Sequence, residues 1–429
     1  MSFNIILIVF FFQIYSQIIL QYKKEIKNLK NSNEIALNIA ETEYYINIEI
    51  GTPPQLIKAN VEFSKYIFYI SGDKNYQVYN PNMSSSYRLN STNVEKISYN
   101  NFNSGLIVNE TLHLNNNNEK INKMKIENFP FLLSGNLISN NSKMFSCGFG
   151  LGIPSFYRKN YINFIKNLYM KNIIDSYSFF FNKINENEGE IIIGLFPHEY
   201  YPKKYKFKKY EISYITITTY FHFWNCIFES IISDNITFYK EHMVLLDFNL
   251  EGLIIGKKYF DFVRKDFFQV LIEKKICFEN FINDYNYFYC EKNKNIDFTK
   301  FKNVSLVSKE FNETFIFNYT DLFKEKGDYI FFMIFCNTYS FNRIVLGRIF
   351  FEKYQLGFNY DKKVILLYKD DLDKINKDKN NYLFSIFLIC ILLIIFFIVL
   401  RFYFKYFKIK KKIYVTELED NIKLSEKIL

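Results

Sequence analysis

The chain lacks the patterns on which the commonest metal, redox and nucleophile chemistries depend. Its six cysteines form no C-x-x-C pair, so zinc ligation and thioredoxin-like redox chemistry have no support. There is no G-x-S-x-G nucleophile elbow and no glycine loop of the kind that cradles phosphates. The histidines do not stand at metal-ligand spacing from a second ligand; they are His113, His198, His222 and His242. The sequence therefore predicts no metal and no cofactor.

What the composition does supply is a large apolar fraction. The 429 residues are 49% hydrophobic and 20% aromatic, which is enough to bury a sizeable core. The formal net charge of +10 is spread over Lys-rich stretches and a basic C-terminal tail. Because no basic patch is interleaved with stacking aromatics in a nucleic-acid module, no nucleic-acid partner is expected.

The N-terminus carries an apolar stretch, residues 5–19, followed by Lys23 and Lys24. A short apolar run in this place is typical of a secretory signal peptide, although the usual positive charge before it is missing. We predict a signal peptide over residues 1–20. The alternative is a buried N-terminal strand.

Residues 382–400 form an apolar run without charge, long enough for a membrane-spanning helix. Six basic residues follow between Arg401 and Lys412, which places that side in the cytoplasm. With the signal peptide, this predicts a single-pass type I membrane protein of the secretory pathway, endomembrane or cell surface. Its body would be lumenal or extracellular, and residues 401–429 would form a cytosolic tail. A buried core helix is the alternative.

Between these segments the pattern is mostly β, because short β-branched and aromatic runs are punctuated by Gly, Pro and Asn. These runs predict strands at residues 45–50, 59–70, 190–194, 214–219, 244–247, 344–346 and 364–368. Helical periodicity occurs at residues 161–171 and 257–271. Glycosylation sequons all precede the apolar run, which agrees with the predicted topology; they are Asn82, Asn90, Asn109, Asn140, Asn235, Asn303, Asn312 and Asn318.

The segment from Tyr44 to Gln55, Y-Y-I-N-I-E-I-G-T-P-P-Q, resembles the opening strand of the pepsin-like aspartic peptidases. Later segments resemble that family in its own order and spacing. They are residues 79–87 (YNPNMSSSY), 97–105, 148–152 (GFGLG), 188–194 (EGEIIIG), 220–231, 345–350 (VLGRIF) and 356–359 (LGFN). Within them Tyr99 matches the flap tyrosine, and the alternative is a surface tyrosine of a hairpin.

The resemblance implies an all-β, bilobal fold with a cleft that binds a peptide or protein segment. The N-terminal lobe would span residues 41–200 and the C-terminal lobe residues 201–369. The family's second-lobe disulfide would join Cys290 to Cys336, which an oxidising compartment permits. Its first-lobe disulfide is absent, and Cys390 lies in the apolar run. The pairing of the remaining cysteines stays open; they are Cys147, Cys226 and Cys277.

An aspartic peptidase uses two carboxylates that share one proton and activate one water, since like charges so close cannot both ionise. The family carries each Asp in a D-T-G-[ST] loop, in which the Thr hydroxyls tie the two loops together and Gly admits a close backbone N–H. The resemblance places Glu62 and Asp247 at the two catalytic positions.

The first loop departs from that motif at every position. Glu62 keeps a carboxylate but adds a methylene, which displaces it by about 1.5 Å, a scale on which misplacement costs roughly a hundredfold in rate. Phe63 removes the hydroxyl, and Ser64 puts a side chain where Gly is expected. Lys65 replaces a small hydroxyl residue, and its ammonium would oppose proton sharing with Asp247.

The second loop keeps Asp247 but follows it with Phe248 and Asn249 in place of Thr and Gly. We therefore favour a pseudoprotease that binds peptide or protein segments without cutting them. The alternatives are an active aspartic endopeptidase that uses Glu62 and Asp247, and a surface glycoprotein that keeps the fold only as a scaffold. In the last case, Phe63 and Phe248 would fill the cleft, and the two acids would be ordinary solvated or paired carboxylates.

Overall fold

The computed structural model describes residues 17–27, 29, 31–71, 79–89, 105–114, 124–134, 147–153, 162–200, 205–208, 223–338, 344–370, 389, 391–393, 396–406 and 408. The chain divides into two compact units, residues 1–369 and residues 370–429. Each unit is described by itself.

The first unit is built mainly from strands. They are β1 (Ile18–Lys24), β2 (Tyr44–Ile50), β3 (Gln55–Glu62), β4 (Phe68–Ser71), β5 (Arg88–Leu89), β6 (Gly105–Leu114), β7 (Met124–Ser134), β8 (Cys147–Gly150), β9 (Ser178–Lys183), β10 (Glu188–Ile193), β11 (Tyr205–Lys208), β12 (Asn225–Ser233), β13 (Ile236–Leu246), β14 (Leu253–Ile254), β15 (Cys277–Ile282), β16 (Tyr285–Glu291), β17 (Val304–Ser308), β18 (Glu313–Phe317), β19 (Phe323–Lys326), β20 (Tyr329–Phe332), β21 (Ile334–Asn337), β22 (Ile344–Leu346), β23 (Gln355–Asn359) and β24 (Val364–Asp370).

Helices are short and lie between the strands. They are α1 (Ser32–Ala40), α2 (Phe164–Met170), α3 (Pro197–Tyr200), α4 (Lys257–Val263), α5 (Gln269–Glu273), α6 (Tyr319–Leu322) and α7 (Arg348–Lys353), with 3-10 turns at Pro81–Met83 and Phe298–Lys300 and a π-helical turn at Arg264–Phe268. The predicted helices at 161–171 and 257–271 are confirmed as α2 and as the run from α4 to α5. The predicted strand at 59–70 is wrong as a single element, because residues 63–67 form the loop that separates β3 from β4.

The strands form because their apolar residues alternate. In β2, for example, Tyr44, Ile46, Ile48 and Ile50 are buried, while Asn47 is exposed. Side chains of a strand point to opposite faces in turn, so this period of two buries one face of the sheet. The prediction of a mostly β fold is confirmed. The strand predicted at residues 214–219 lies outside the described residues.

The described strands of the unit form two sheets. The first runs β11-β24-β23-β9-β10-β1-β2-β3-β8-β4-β7-β6-β5, and the second runs β18-β17-β12-β13-β22-β14-β21-β16-β20-β19, with β15 paired to β16. The predicted lobe boundary at residue 200 does not follow sheet membership. Strands β11, β23 and β24 follow residue 200, in or just beyond the predicted C-terminal lobe, yet they belong to the first sheet.

The same local arrangement occurs once in each sheet. Strand β3 runs parallel to β8, which pairs antiparallel with β4; likewise β13 runs parallel to β22, which pairs antiparallel with β14. A glycine stands at the end of the central strand of each arrangement: Gly150 is the last residue of β8, and Gly347 directly follows β22. A Cβ on Gly150 would come within 2.5 Å of the Ile67 nitrogen, and one on Gly347 within 2.1 Å of the Gly252 oxygen. Both positions therefore exclude a side chain. Each sheet contributes one loop to the predicted site: the loop after β3 comes from the first sheet and the loop after β13 from the second.

The N-terminal strand β1 is part of the first sheet, between β10 and β2. Its Ile18, Ile19 and Leu20 are buried. The predicted signal peptide, residues 1–20, overlaps this strand at its end, while residues 1–16 lie outside the described residues. Residues 18–20, at the end of the apolar stretch, therefore fit the alternative of a buried N-terminal strand.

The second unit is described only in part, with residues 396–406 helical. The predicted span at 382–400 falls largely outside the described residues. Within the described part of the chain, no helix combines the length and the apolar character needed to cross a membrane.

The predicted disulfide between Cys290 and Cys336 is wrong. Cys290 bonds to Cys277, its direct neighbour across β15 and β16, with Cα atoms 3.9 Å apart. Cys336 carries a free, buried thiol and lies opposite Asn286 on β16. Asn286 is four residues from Cys290, which amounts to about 13 Å along a strand and exceeds the roughly 7 Å limit for a disulfide. The other thiols that the prediction left open, Cys147 and Cys226, are free and buried.

Candidate active site

Glu62 is the last residue of β3, and its side chain is almost fully buried, with 8% of the residue exposed. The ammonium of Lys65 lies 2.7 Å from its Oε1, and the Tyr69 hydroxyl donates to the same oxygen at 3.0 Å. The Oε2 atom is buried and accepts no hydrogen bond from the described residues. This carboxylate is therefore bound from one side by a cation and a phenol.

The loop that carries Lys65 is held by main-chain bonds to the residues after β8. The Leu151 N–H donates to the Glu62 carbonyl at 2.9 Å, and the Gly152 N–H donates to the Lys65 carbonyl at 2.6 Å. Tyr69 is buried, and burial followed by the charge of Glu62 raises its pKa well above the usual range. The phenol thus stays protonated and remains a hydrogen-bond donor to Glu62.

Asp247 follows β13 and is half-buried. Its N–H donates to the Leu346 carbonyl, and its Oδ1 accepts the Asn249 N–H at 3.0 Å. It lines a small pocket with a volume of about 100 Å³. The other lining residues are mostly apolar; they are Ala40, Phe223, Leu245, Leu250, Ile254, Tyr285, Asn337 and Val345.

The two loops are joined by the side chain of Asn249, which reaches from the second loop to the first. Its Oδ1 accepts the Phe63 N–H at 2.9 Å, and its Nδ2 donates to the Val61 carbonyl at 2.7 Å. Glu62 and Asp247 therefore lie on adjoining loops. Sequence reasoning treated Asn249 only as an obstruction at a glycine position and missed this bridge.

Phe63 and Phe248 do not line the pocket beside Asp247. Both are buried in an aromatic cluster between the loops and the first sheet. Phe248 stacks on Phe181 with ring centroids 3.8 Å apart, and Phe63 packs edge-on against Phe358 at 5.3 Å. The expectation that these rings would fill the cleft, which belonged to the scaffold alternative, receives no support at this pocket.

Sequence reasoning also missed Glu251, four residues after Asp247. Its buried carboxylate binds three cations: Lys24 at 3.0 Å, Lys326 at 2.7 Å and Arg348 at 3.0 Å. Burial alone would raise the pKa of Glu251, but Arg348, Lys24 and Lys326 together outweigh it and lower the pKa to about 2. These four residues, the Glu251 ion cluster, join β1, β19 and α7 to the second loop. No local signal marks the cluster, because its cations lie far from Glu251 in sequence.

Tyr99, the predicted flap tyrosine, lies outside the described residues, in the stretch of sequence between β5 and β6. A family model described as eukaryotic aspartyl protease matches residues 43–369, well over half of the chain. The chain belongs to the eukaryotic aspartyl protease family. None of the curated proteins matches it. The predicted resemblance to pepsin-like peptidases is thus confirmed at the level of the family.

The match to the aspartyl protease family covers both loops of the candidate site. The family match spans both β3 with Glu62 and β13 with Asp247. Strand β1 and helix α1 precede the matched residues but are bonded to the site. The Glu251 N–H donates to the Ile39 carbonyl at 2.8 Å, and the Thr42 N–H donates to the Asn249 carbonyl at 2.8 Å. The N-terminal segment is therefore part of the folded body.

Proposed function

We propose that this member of the aspartyl protease family is a membrane-anchored pseudoprotease, which binds peptide or protein segments in its cleft without cleaving them. The observation that carries the proposal is the ion pair between Lys65 and Glu62, with the ammonium 2.7 Å from Oε1. An active dyad holds its two carboxylates together with one shared proton. Here the Lys65 ammonium neutralises the negative charge of Glu62. A proton shared between Glu62 and Asp247 is therefore no longer needed to hold the two acids together.

The remaining departures act in the same direction. Tyr69 donates to the oxygen that Lys65 already binds, so both partners of this oxygen come from the first loop and from β4. Because the loops are tied through Asn249 and an aromatic cluster, the fold of the site is kept although its hydroxyls are lost. A site that keeps the arrangement of its loops but neutralises one of its two acids is better suited to peptide binding than to peptide hydrolysis.

Binding is supported by the pocket beside Asp247. Its walls combine apolar side chains with the polar groups of Asp247, Tyr285 and Asn337, and such a lining can hold a peptide segment. Phe63 and Phe248 do not occupy this pocket, because both are packed in the aromatic cluster.

We further propose the topology that the sequence predicts, with a signal peptide, a single span at residues 382–400 and a lumenal or extracellular body. The Cys277–Cys290 disulfide agrees with an oxidising compartment. Some sequons are exposed and could carry glycans; they are Asn82, Asn235, Asn303 and Asn312. A signal peptide that ends before Ile18 would leave β1 whole. Removal of N-glycans with an endoglycosidase should increase gel mobility, and an unchanged mobility would argue against this topology.

The second candidate is an active endopeptidase, and a specific observation favours it: both acids are present on loops that Asn249 joins directly. Reversion separates the two functions. The full-length protein is compared with a variant that restores the family motif through Glu62→Asp, Phe63→Thr, Ser64→Gly, Lys65→Ser, Phe248→Thr and Asn249→Gly.

The assay is cleavage of a peptide library between pH 3 and pH 6, with and without a statine-type inhibitor. We expect no inhibitor-sensitive cleavage by the native chain and measurable cleavage by the reverted one. The matched control adds Asp247→Asn to the reverted chain and should abolish cleavage. If the native chain already cleaves and Asp247→Asn stops it, the protein is an active endopeptidase and the pseudoprotease proposal is wrong.

A further inference from the structure

Asn249 clamps the peptide groups on both sides of Glu62. The Val61 carbonyl, which accepts from its Nδ2 at 2.7 Å, lies directly before Glu62, and the Phe63 N–H, which donates to its Oδ1 at 2.9 Å, lies directly after it. Two bonds to successive peptide groups fix both the position and the direction of the chain that carries the carboxylate.

The main chain of the same residue holds the other acid. The Asn249 N–H donates to Asp247 Oδ1 at 3.0 Å, and the Asn249 carbonyl accepts the Thr42 N–H at 2.8 Å. One residue thus contacts the Glu62 loop, Asp247 and the segment that enters β2. Both acids are held in place through a single side chain and its backbone.

The chemistry of the amide explains why this position holds asparagine. A carboxamide donates and accepts at the same time, as the Val61 carbonyl and the Phe63 N–H require. The neighbouring aromatic residues offer no polar atom, so neither Phe63 nor Phe248 can bridge the loops. Aspartate would keep the acceptor but would place an oxygen against the Val61 carbonyl.

We propose that Asn249 is the positioning residue of this site: it sets the placement of Glu62 relative to Asp247 and, through it, the affinity for a bound segment. Only the affinity depends on the proposed function, since the placement can be measured without a ligand. Asn249→Ala removes all three side-chain bonds, those with Phe63 and Val61 and a longer one of 3.4 Å from Nδ2 to the Thr42 carbonyl, and Asn249→Asp keeps the bond from Phe63 only. The matched control is Asn359→Ala, because Asn359 is also buried and also bonds to neighbouring groups, Ser176 and the Lys362 N–H.

Two quantities are measured on the full-length protein. The first is hydrogen–deuterium exchange of peptides that cover residues 61–64. The second is the Kd of a labelled statine-type peptide inhibitor between pH 4 and pH 7. Loss of the side-chain hydrogen bonds in Asn249→Ala should accelerate exchange and weaken binding by roughly tenfold each. Asn249→Asp should fall between Asn249→Ala and the native chain, and Asn359→Ala should lower the melting temperature without changing either quantity at the site.

The proposal is overturned if Asn249→Ala leaves exchange at residues 61–64 unchanged, or if Asn359→Ala accelerates it equally. If Asn249→Ala does not fold, Asn249→Asp decides the question, because native-like exchange in that variant contradicts the clamp and faster exchange supports it. A native chain that binds no inhibitor would contradict the proposed function, while its exchange at residues 61–64 would still test the role of Asn249.

Discussion

Replacement of Glu251 by glutamine tests the Glu251 ion cluster, since it keeps the shape of the side chain and removes its charge. Arg348 and Lys24 expose only 9% and 11% of their side chains. They would be left buried without their shared counter-charge. Removal of one partner from a buried ion pair costs about 3–5 kcal/mol, so we expect the free energy of unfolding to fall by that amount at pH 7.

The pH dependence of stability gives a second value for the contribution of Glu251 to the free energy of unfolding. The pKa of Glu251 is lowered from the ordinary 4.5 to about 2 in the folded protein. A depressed carboxyl pKa contributes stability above the unfolded value, and this contribution is lost as the pH falls toward the folded value. A shift of about 2.5 units corresponds to about 3 kcal/mol. The difference between native protein and Glu251→Gln should therefore shrink by about that amount between pH 5 and pH 2.

The assay is urea unfolding of the two proteins, followed by tryptophan fluorescence at several pH values. Trp224 is the single tryptophan and is fully buried, so its emission reports on the folded state. The matched control is Glu325→Gln, because Glu325 pairs with Lys292 while exposing 61% of its side chain. Exposed pairs contribute up to about 1 kcal/mol, and the control should stay within that limit. A Glu251→Gln variant as stable as this control at pH 7 would refute the reasoning.

Three further predictions follow from the packing. Replacement of Cys277 or of Cys290 by alanine should lower the free energy of unfolding by about 3 kcal/mol in either case, because the bond closes a loop of about 13 residues; peptide mapping without reduction should show the two cysteines linked, and a different pairing would disprove this bond. Phe248→Ala should lower the free energy of unfolding by about 3–5 kcal/mol, since it leaves a cavity in the aromatic cluster, whereas Phe281→Ala on the exposed side of β15 should lower it by much less. Equal losses of stability in the two variants would disprove the role of the cluster. Sequencing of the mature N-terminus should find Ile18 retained, because it is a buried residue of β1, and a start beyond that residue would be incompatible with the strand.

Local sequence was sufficient for the features that depend on local chemistry. Strand β2 could be predicted because its apolar residues alternate over seven positions, and α2 could be predicted from its helical periodicity. The family could be recognised because its motifs occur in a fixed order. The same order placed Glu62 at the end of β3 and Asp247 after β13, where the structure has them.

Tertiary structure alone decided which of these residues contact each other. The disulfide partner of Cys290 depends on strand register. Cys277 lies directly opposite Cys290, whereas Cys336 lies opposite a residue four positions earlier on β16. The bridge from Asn249 to Val61 joins residues 188 positions apart, and the ion pair from Lys24 to Glu251 joins residues 227 positions apart. Sequence periodicity describes the face on which a side chain lies, but not the element that will cover it. The contacts that hold the two acids arise only when both sheets have folded.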